Sequence, residues 1–264
     1  MTDLTVTWLG HSTVLLERDG VRVLTDPLLH RHAGVLRRRG GRPADVWHDV
    51  DAVLLSHLHH DHAELGSLRL LGDVPVLTAP SNARWLRSHG IRGAVGLGPD
   101  DVVEVAPGAR VRLTPAVHGH RPMPHRPNAA NGHLLLLDGA TPGDELAVWA
   151  VGDTELAPEL AGVPALAGRP PDVVLAPVSG WGPRLSGGHL GPLQAAELCA
   201  LVGAGVAVPV HWGTLHAPGG RHVPPGWMDR PGTIFAHEVA RHAPGTRAVV
   251  LAPGESTELR SARR

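Results

Sequence analysis

The stretch Ser56-His57-Leu58-His59-His60-Asp61-His62 decides how the rest of the chain is read. It follows the apolar run Ala52-Val53-Leu54-Leu55 and carries four imidazoles and a carboxylate, of which His57, His59, Asp61 and His62 make the spacing H-x-H-x-D-H. Neutral imidazole and carboxylate are ligands that Zn²⁺, Mn²⁺ and Fe²⁺ accept, and a turn at a strand end lets them converge from different directions. If the backbone stays extended to His59, then His57 and His59 share one face of it. Asp61 and His62, past the turn, would reach a second ion beside the first, which is a two-metal layout. A helix cap alone has no use for four potential ligands in six residues.

Outward from this stretch, the 264 residues contain no Ser/Gly-rich linker and no charge block, so residues 1–264 are read as one domain with one sizeable core. The formal net charge is −1, and every basic residue is Arg. No general basic field for nucleic acid follows from that balance, although a local anion site is compatible with it. The basic run Arg37-Arg38-Arg39, with Arg42 nearby, is read as a solvated loop rather than a binding surface. The first residues lack a basic and then apolar leader, and no apolar stretch reaches about 18 residues, so a soluble, cytoplasmic protein without a membrane span is expected. Nothing in the sequence sets an oligomeric state. The single Cys199 lies in an apolar helical run, which reads as a buried position and not as a nucleophile.

Hydrophobic alternation predicts strands over residues 4–9, 13–17 and 21–25, with Asp19-Gly20 as the turn between the last two. A strand over 52–55 then runs into the His-rich stretch, and the spacing of Leu65, Leu68 and Leu71 predicts a helix over 63–71. Next come a strand over 74–78, a helix over 82–89, and a hairpin of 101–105 with 110–113 around Pro107-Gly108. The order recurs with strands over 134–137, 146–151, 173–176 and 206–209, helices near 193–201 and 233–242, and a last strand over 247–251. Residues 119–132, with three prolines and little apolar periodicity, read as an ordered loop over a site mouth. Two β-rich halves with interleaved helices indicate an α+β chain, whereas a doubly wound parallel sheet would lack the opening hairpins.

The H-x-H-x-D-H pattern resembles the first metal motifs of the metallo-β-lactamase-fold hydrolases. Further positions match that family in order: His118 after the strand-like run 111–117, Asp153 after 147–152, and His211 after 206–210. The opening Thr7-Trp8-Leu9-Gly10-His11-Ser12-Thr13 and Leu24-Thr25-Asp26-Pro27 resemble the branch that holds N-acylphosphatidylethanolamine phospholipase D-like and ascorbate-6-phosphate lactonase-like proteins. The resemblance implies a four-layer αββα sandwich and two divalent ions, Zn first, with Mn or Fe open. By resemblance, His57, His59 and His118 would hold one metal, Asp61, His62 and His211 the other, and Asp153 would bridge them. A metal-bridging hydroxide would then be the nucleophile on an ester-type bond, with Asp61 and Asp153 taking part in catalysis by holding the ions. The chain departs from the phospholipase D-like pattern directly after His118, where Gly119-His120-Arg121 stands in place of an aromatic residue.

Around the ligands, Asp26 would accept from the non-coordinating N–H of a ligand imidazole, or serve only as a turn aspartate before Pro27. His11 is read as an outer or structural residue, and Ser12 as a poor nucleophile, because Val14 fills the last Gly place of a nucleophile elbow. His189, ahead of a helix, resembles a position near the substrate and would donate a proton to the leaving group or bind an anionic oxygen; a capping His is the alternative. Arg121 and Arg126 would clamp a phosphate, or be solvated loop residues. His120, His125, His133 and His216 are candidates for the pocket mouth, His60 would point away, and Trp181 and Trp212 are candidate apolar walls or core residues. These readings lead to a dinuclear hydrolase of a small anionic substrate, a phosphodiester first. A lactonase is the alternative, and a mono-iron dioxygenase is the alternative from another class.

Overall fold

The computed structural model describes residues 3–119, 125–139, 141 and 143–259. Along the central strands, side chains alternate between two apolar environments with the period of two that a pleated strand imposes. Leu135, Val148 and Leu175 face one core cluster, together with Val6, Trp8 and Leu16, while Leu134, Trp149 and Val174 face a second. Strands apolar on both faces must be covered on both faces, and that demand produces four layers.

One seven-stranded sheet runs in the order Ser256–Leu259, Leu4–Gly10, Thr13–Arg18, Val21–Thr25, Ala52–Leu54, Val76–Thr78 and Ala94–Gly96. The other runs Arg247–Ala248, Val206–Val210, Val173–Pro177, Leu146–Ala150, Gly132–Leu137, Ala109–Thr114 and Val103–Ala106. Each is antiparallel in its hairpin portion and parallel in the portion reached by helical crossovers. The inter-sheet core holds the first cluster. The helices Pro192–Val202 and Pro231–His242 cover the outer face of the second sheet, and Leu65–Leu70 and Pro80–Ser88 that of the first. This is the four-layer αββα sandwich that the resemblance implies.

Several boundaries move for local reasons. The helix expected over 63–71 begins only at Leu65, because the Glu64 carboxylate caps it by accepting from Gly66 N at 2.9 Å and Ser67 N at 2.6 Å. The helix expected from residue 82 starts at Pro80, whose missing N–H costs nothing in the first turn. The last strand of the second sheet pairs only over Arg247–Ala248. Sequence patterning did not reveal Ser256–Leu259, a short polar segment that closes the first sheet against Leu4–Gly10. It also missed a small sheet in which Leu36–Arg38 pairs with His32–Ala33 and with Leu215–His216.

That small sheet corrects the reading of the Arg run. Arg38 is buried, with Nη1 donating to Leu28 O at 2.9 Å and Nη2 to Leu9 O, and burial lowers its pKa to about 10. Arg39 pairs with Asp229, and only Arg37 faces outward in full. Alternation within a strand, hidden in a run of identical residues, is the reason. Cys199 is buried as expected, with its thiol pushed up to about 12 by that burial. No helix of the described residues is long and apolar enough to cross a membrane.

Candidate metal centre

Six strand ends meet along one edge of the sandwich. Leu4–Gly10 leads to His11, Val21–Thr25 to Asp26, Ala52–Leu54 to Ser56-His57, Ala109–Thr114 to His118, Leu146–Ala150 to Asp153, and Val206–Val210 to His211. Backbone bonds tie these ends together across the two sheets, with His211 N donating to His11 O at 2.9 Å and Asn131 N to Ser56 O at 3.1 Å. His11, Asp26 and His211 all take positive φ, at 53°, 33° and 62°. Non-glycine residues held there are strained, and such strain persists where the surroundings over-determine the geometry.

Asp153 lies at the middle of the cluster. Its Oδ2 is 3.2 Å from Nε2 of both His62 and His211, 3.3 Å from His189 Nε2, 3.9 Å from His57 Nε2 and 4.0 Å from His118 Nε2. Asp61 Oδ2 lies 3.0 Å from His11 Nε2, 3.6 Å from His211 Nε2 and 3.8 Å from His62 Nε2. Donor atoms within 4.8 Å of one another form overlapping groups. His57, His59 and His118 make one. His11, Asp61, His62 and His211 make another, and Asp153 groups with His57 and His62 and with His118 and His189. All of these are buried except His59 and His189, which are half-buried.

Outer partners fix which nitrogen of each ring faces inward. His62 Nδ1–H donates to Asp26 Oδ2 at 2.8 Å, His211 Nδ1–H to Ser179 O at 2.9 Å, and His118 Nδ1–H to Gly188 O at 2.6 Å. Ser56 Oγ donates to Asp26 Oδ2 at 2.8 Å and accepts from His57 Nδ1–H at 3.0 Å. Each of these rings therefore turns a bare Nε2 lone pair toward the interior. His62 Nε2 and His211 Nε2 face each other at 3.1 Å, and His118 Nε2 faces His59 Nδ1 at 3.1 Å. The two Nε2 lone pairs of His62 and His211 repel at that separation unless a cation sits with them.

The electrostatics of these rings and carboxylates carry the same demand for positive charge. Burial pushes His57 well below the usual imidazole range and His118 down to about 4. At His62 and His211 burial also disfavours charge, but the Asp153 carboxylate outweighs it, helped by Asp26 and Asp61 at His62 and by Asp61 at His211. His62 thus lies well above its ordinary value, and His211 is pushed up to about 9. Burial would raise both carboxyls, yet His62 beside Asp61 and His211 beside Asp153 hold them well below the carboxylate range. The residues fit divalent ions on a further count: His57 Nε2 and Asp153 Oδ1 are buried with no hydrogen-bond partner, a costly state that coordination would relieve.

The sequence-predicted residues separate into those brought together here and those that are not. All seven expected ligands converge, Asp26 contacts His62, and His11 touches Asp61 more closely than an outer residue need, its pKa lowered to about 3 by burial and by His211. His189 reaches Asp153. Arg126 does not point into the site: it donates to Leu58 O at 2.7 Å, Ala63 O at 3.2 Å and His60 Nδ1 at 3.0 Å, with its guanidinium 4.8 Å over the Trp85 ring. Its work is to fasten the His-rich loop, and the phosphate-clamp reading is corrected accordingly. Trp212 stacks on Trp8 at 5.1 Å and donates to Pro209 O at 3.1 Å, so it is core and not pocket wall. His216 is buried in the small sheet, and His133 is buried with Nε2–H donating to Leu77 O at 3.0 Å; neither stands at the mouth. His60 belongs to none of the donor groups and accepts from Arg126 Nη2 at 3.0 Å. His120 and Arg121 lie outside the described residues. Sequence reasoning missed Ser56, although its place directly before His57 was the available signal.

Two cavities open over this cluster. One, of about 780 Å³, is lined by residues 180–184, Ser186, His189, Val223 and Pro224. The second, of about 510 Å³, is lined by residues 33–36, His59, His60, Asp61, Trp181 and Ala217. Trp181 borders both, which fits its expected place as an apolar wall.

A family profile described as a beta-lactamase superfamily domain matches residues 21–212. The chain is 30% identical over 260 residues to a UPF0173 metal-dependent hydrolase of Methanopyrus kandleri, a match covering 96% of this chain and 99% of the relative. Among solved structures, Igni18, described as a metallo hydrolase from Ignicoccus hospitalis, superposes with a TM-score of 0.73 at 23% identity, covering 97% of this chain and 98% of that one. CmlA, a diiron β-hydroxylase from Streptomyces venezuelae, superposes with a TM-score of 0.70 at 18% identity, covering 98% of this chain and 54% of that one. The two structural likenesses show the fold. The profile and the Methanopyrus relative show the family, and the chain belongs to the metallo-β-lactamase superfamily.

Proposed function

We propose that this metal-dependent hydrolase holds two divalent ions, with His57, His59 and His118 on one, Asp61, His62 and His211 on the other, and Asp153 between them. The single observation that carries the reading is the facing of the bare Nε2 atoms of His62 and His211 at 3.1 Å, each 3.2 Å from one buried carboxylate. Zn is the first choice for an all-N/O donor set, with Mn or Fe next. When bound, such ions supply Lewis acidity and lower the pKa of water from 15.7 to about 7, so that no strong protein base is required.

The chain's own residues then divide the remaining tasks. His189 lines the larger cavity with Nε2 3.3 Å from Asp153 Oδ2, and its Nδ1–H is turned toward the carbonyls of Ser186 and Gly187, so Nε2 is the atom that would deliver a proton to a departing oxygen from the doubly protonated ring. Asp26 and Ser56 hold His62 and His57 in the tautomer that leaves Nε2 free. The reaction is hydrolysis of an ester-type bond in a small molecule, a phosphodiester of an anionic substrate before a lactone. Gly10-His11-Ser12-Thr13 and Thr25-Asp26-Pro27 support placing the chain in the phospholipase D-like and lactonase-like branch. The domain is taken to span the whole chain. An oxidoreductase reading rests on a shared fold alone, as the CmlA likeness does.

The test compares bis(p-nitrophenyl) phosphate with neutral lactones on one metal-replete preparation, since metal loss mimics a change of specificity. Faster turnover of the phosphodiester supports the reading. Faster turnover of neutral lactones replaces it with a lactonase, and a purple-brown iron protein consuming O₂ with no hydrolysis overturns it.

A further inference from the structure

The two cavities over the cluster differ in chemistry. The smaller is faced by Ala33, Val35, Leu36, Ala217 and the Trp181 ring, and it reaches the cluster past His59 and Asp61. Val35 is 80% exposed and Trp181 37% exposed, so apolar surface stands open to water directly beside two expected ligands. Val35 is not a loose residue. It occupies the turn between His32–Ala33 and Leu36–Arg38, a hairpin paired to Leu215–His216 and fastened beneath by the buried Arg38. Its neighbour Gly34 closely approaches the His60 ring, where an added Cβ would lie 3.7 Å away. The hairpin tip is thus held against the His-rich loop.

The larger cavity reaches the cluster past His189 and carries Ser186 and Arg184 in its wall. Arg184 is exposed, and among the described residues it makes no hydrogen bond or ion pair. An unpaired guanidinium at the wall of a site suits a carboxylate or a phosphate oxygen pair.

We propose that Trp181 divides the cleft into an apolar arm and an anion-binding arm, and that the substrate is amphiphilic. An aliphatic or aromatic group lies along Val35, Leu36 and Ala217, and a negatively charged group meets Arg184. This inference rests on the dinuclear hydrolase reading and deepens it. The occupant is part of a small substrate and not a separate chain, because one arm ends at His189 and the other at His59 and Asp61, donor groups that only a group joined to the reacting bond has reason to reach. Covering the exposed Val35 and Trp181 with an alkyl group removes apolar surface from water, which favours binding in proportion to the area covered.

Calorimetric titration of the metal-loaded protein with linear alkylphosphonates, from methyl to hexyl, tests this without relying on turnover. The expected affinity rises roughly two- to fourfold per methylene over the first several carbons. Val35→Asp flattens that slope, and Ala217→Asp does the same from the opposite wall. For the second arm, phosphonoalkanoates bearing a terminal carboxylate are compared with alkylphosphonates of equal length. Arg184→Gln lowers the ratio of their affinities by about tenfold, the loss expected of a charged hydrogen bond. An affinity independent of chain length in the wild type, a slope unchanged in both Asp variants, or a ratio unmoved in Arg184→Gln overturns the proposal. If these results hold while no ester, lactone or phosphodiester is turned over, the two arms stand and the hydrolytic reading fails.

Discussion

The floor of the cleft and its rim were built from the same residue types, yet they answer to the sequence very differently. On the floor, His57, His59, Asp61, His62, His118, Asp153 and His211 all stand where strand-end reasoning and family resemblance put them. At the rim, Arg126 is turned inward onto the His-rich loop, Trp212 is packed on Trp8, and His133 and His216 are buried. A metal centre needs definite donors at the ends of definite strands, and its demands are written in residue identity and order. A rim is made by whichever loops happen to meet, and a cation or an aromatic ring has other uses a few ångströms away.

His189 stands at the boundary of the two regions, and its substitution is expected to have the largest effect. His189→Ala should keep its metal while kcat falls by roughly 10²- to 10⁴-fold with poor leaving groups and much less with activated ones, which need no proton. A uniform fall across leaving groups would reduce it to a positioning role, and loss of metal would move it to the floor.

His133 sharpens the comparison from the opposite direction, since an imidazole at the mouth would titrate normally. Buried, its pKa is lowered to about 4 from 6.5, chiefly by loss of hydration, so the folded protein keeps it neutral while the unfolded chain takes up a proton. The stability this group supplies is full above pH 6.5 and is lost as pH falls toward 4. Urea unfolding should show the stability difference between wild type and His133→Gln shrinking by about 3 kcal/mol between pH 7 and pH 4. A difference independent of pH would place His133 in water.

Asp26 extends the floor one layer outward. Because its Oδ2 accepts from His62 Nδ1–H and from Ser56 Oγ, Asp26→Asn should lower metal affinity by roughly 10- to 100-fold, as measured with a competing chelator. Unchanged affinity would return Asp26 to a mere turn residue. Arg126 carries the smallest expected effect. Its substitution by Ala leaves the carbonyls of Leu58 and Ala63 without their donor and should cost about 1–3 kcal/mol of stability in thermal unfolding. KM for anionic and neutral substrates should move together, and a selective rise for the anion would restore the phosphate clamp.

Physical locality accounts for what was legible. The strands at Leu146–Ala150, Val173–Pro177 and Val206–Val210 announce themselves because burial on both faces demands continuous apolar runs. Ser256–Leu259 and the hairpin of His32–Ala33 with Leu36–Arg38 exist by pairing with distant partners, and two- to four-residue polar strands leave no period to read. Asp26 could be suspected from Thr25-Asp26-Pro27, but its hold on His62 depends on Val21–Thr25 lying beside Ala52–Leu54. Val35 and Arg184 carried no signal of their own, since their meaning comes only from the cavities that Trp181 separates.

The central claim is that the facing nitrogens around Asp153 exist to hold cations. Elemental analysis of protein purified without chelator tests it most directly, read together with the same measurement on Asp153→Asn. The account predicts about two divalent transition-metal ions per chain in the wild type and loss of both in the variant, because one carboxylate serves the two positions. A folded, hydrolytically active protein that reproducibly contains no transition metal, or an Asp153→Asn variant that retains two ions, would contradict it.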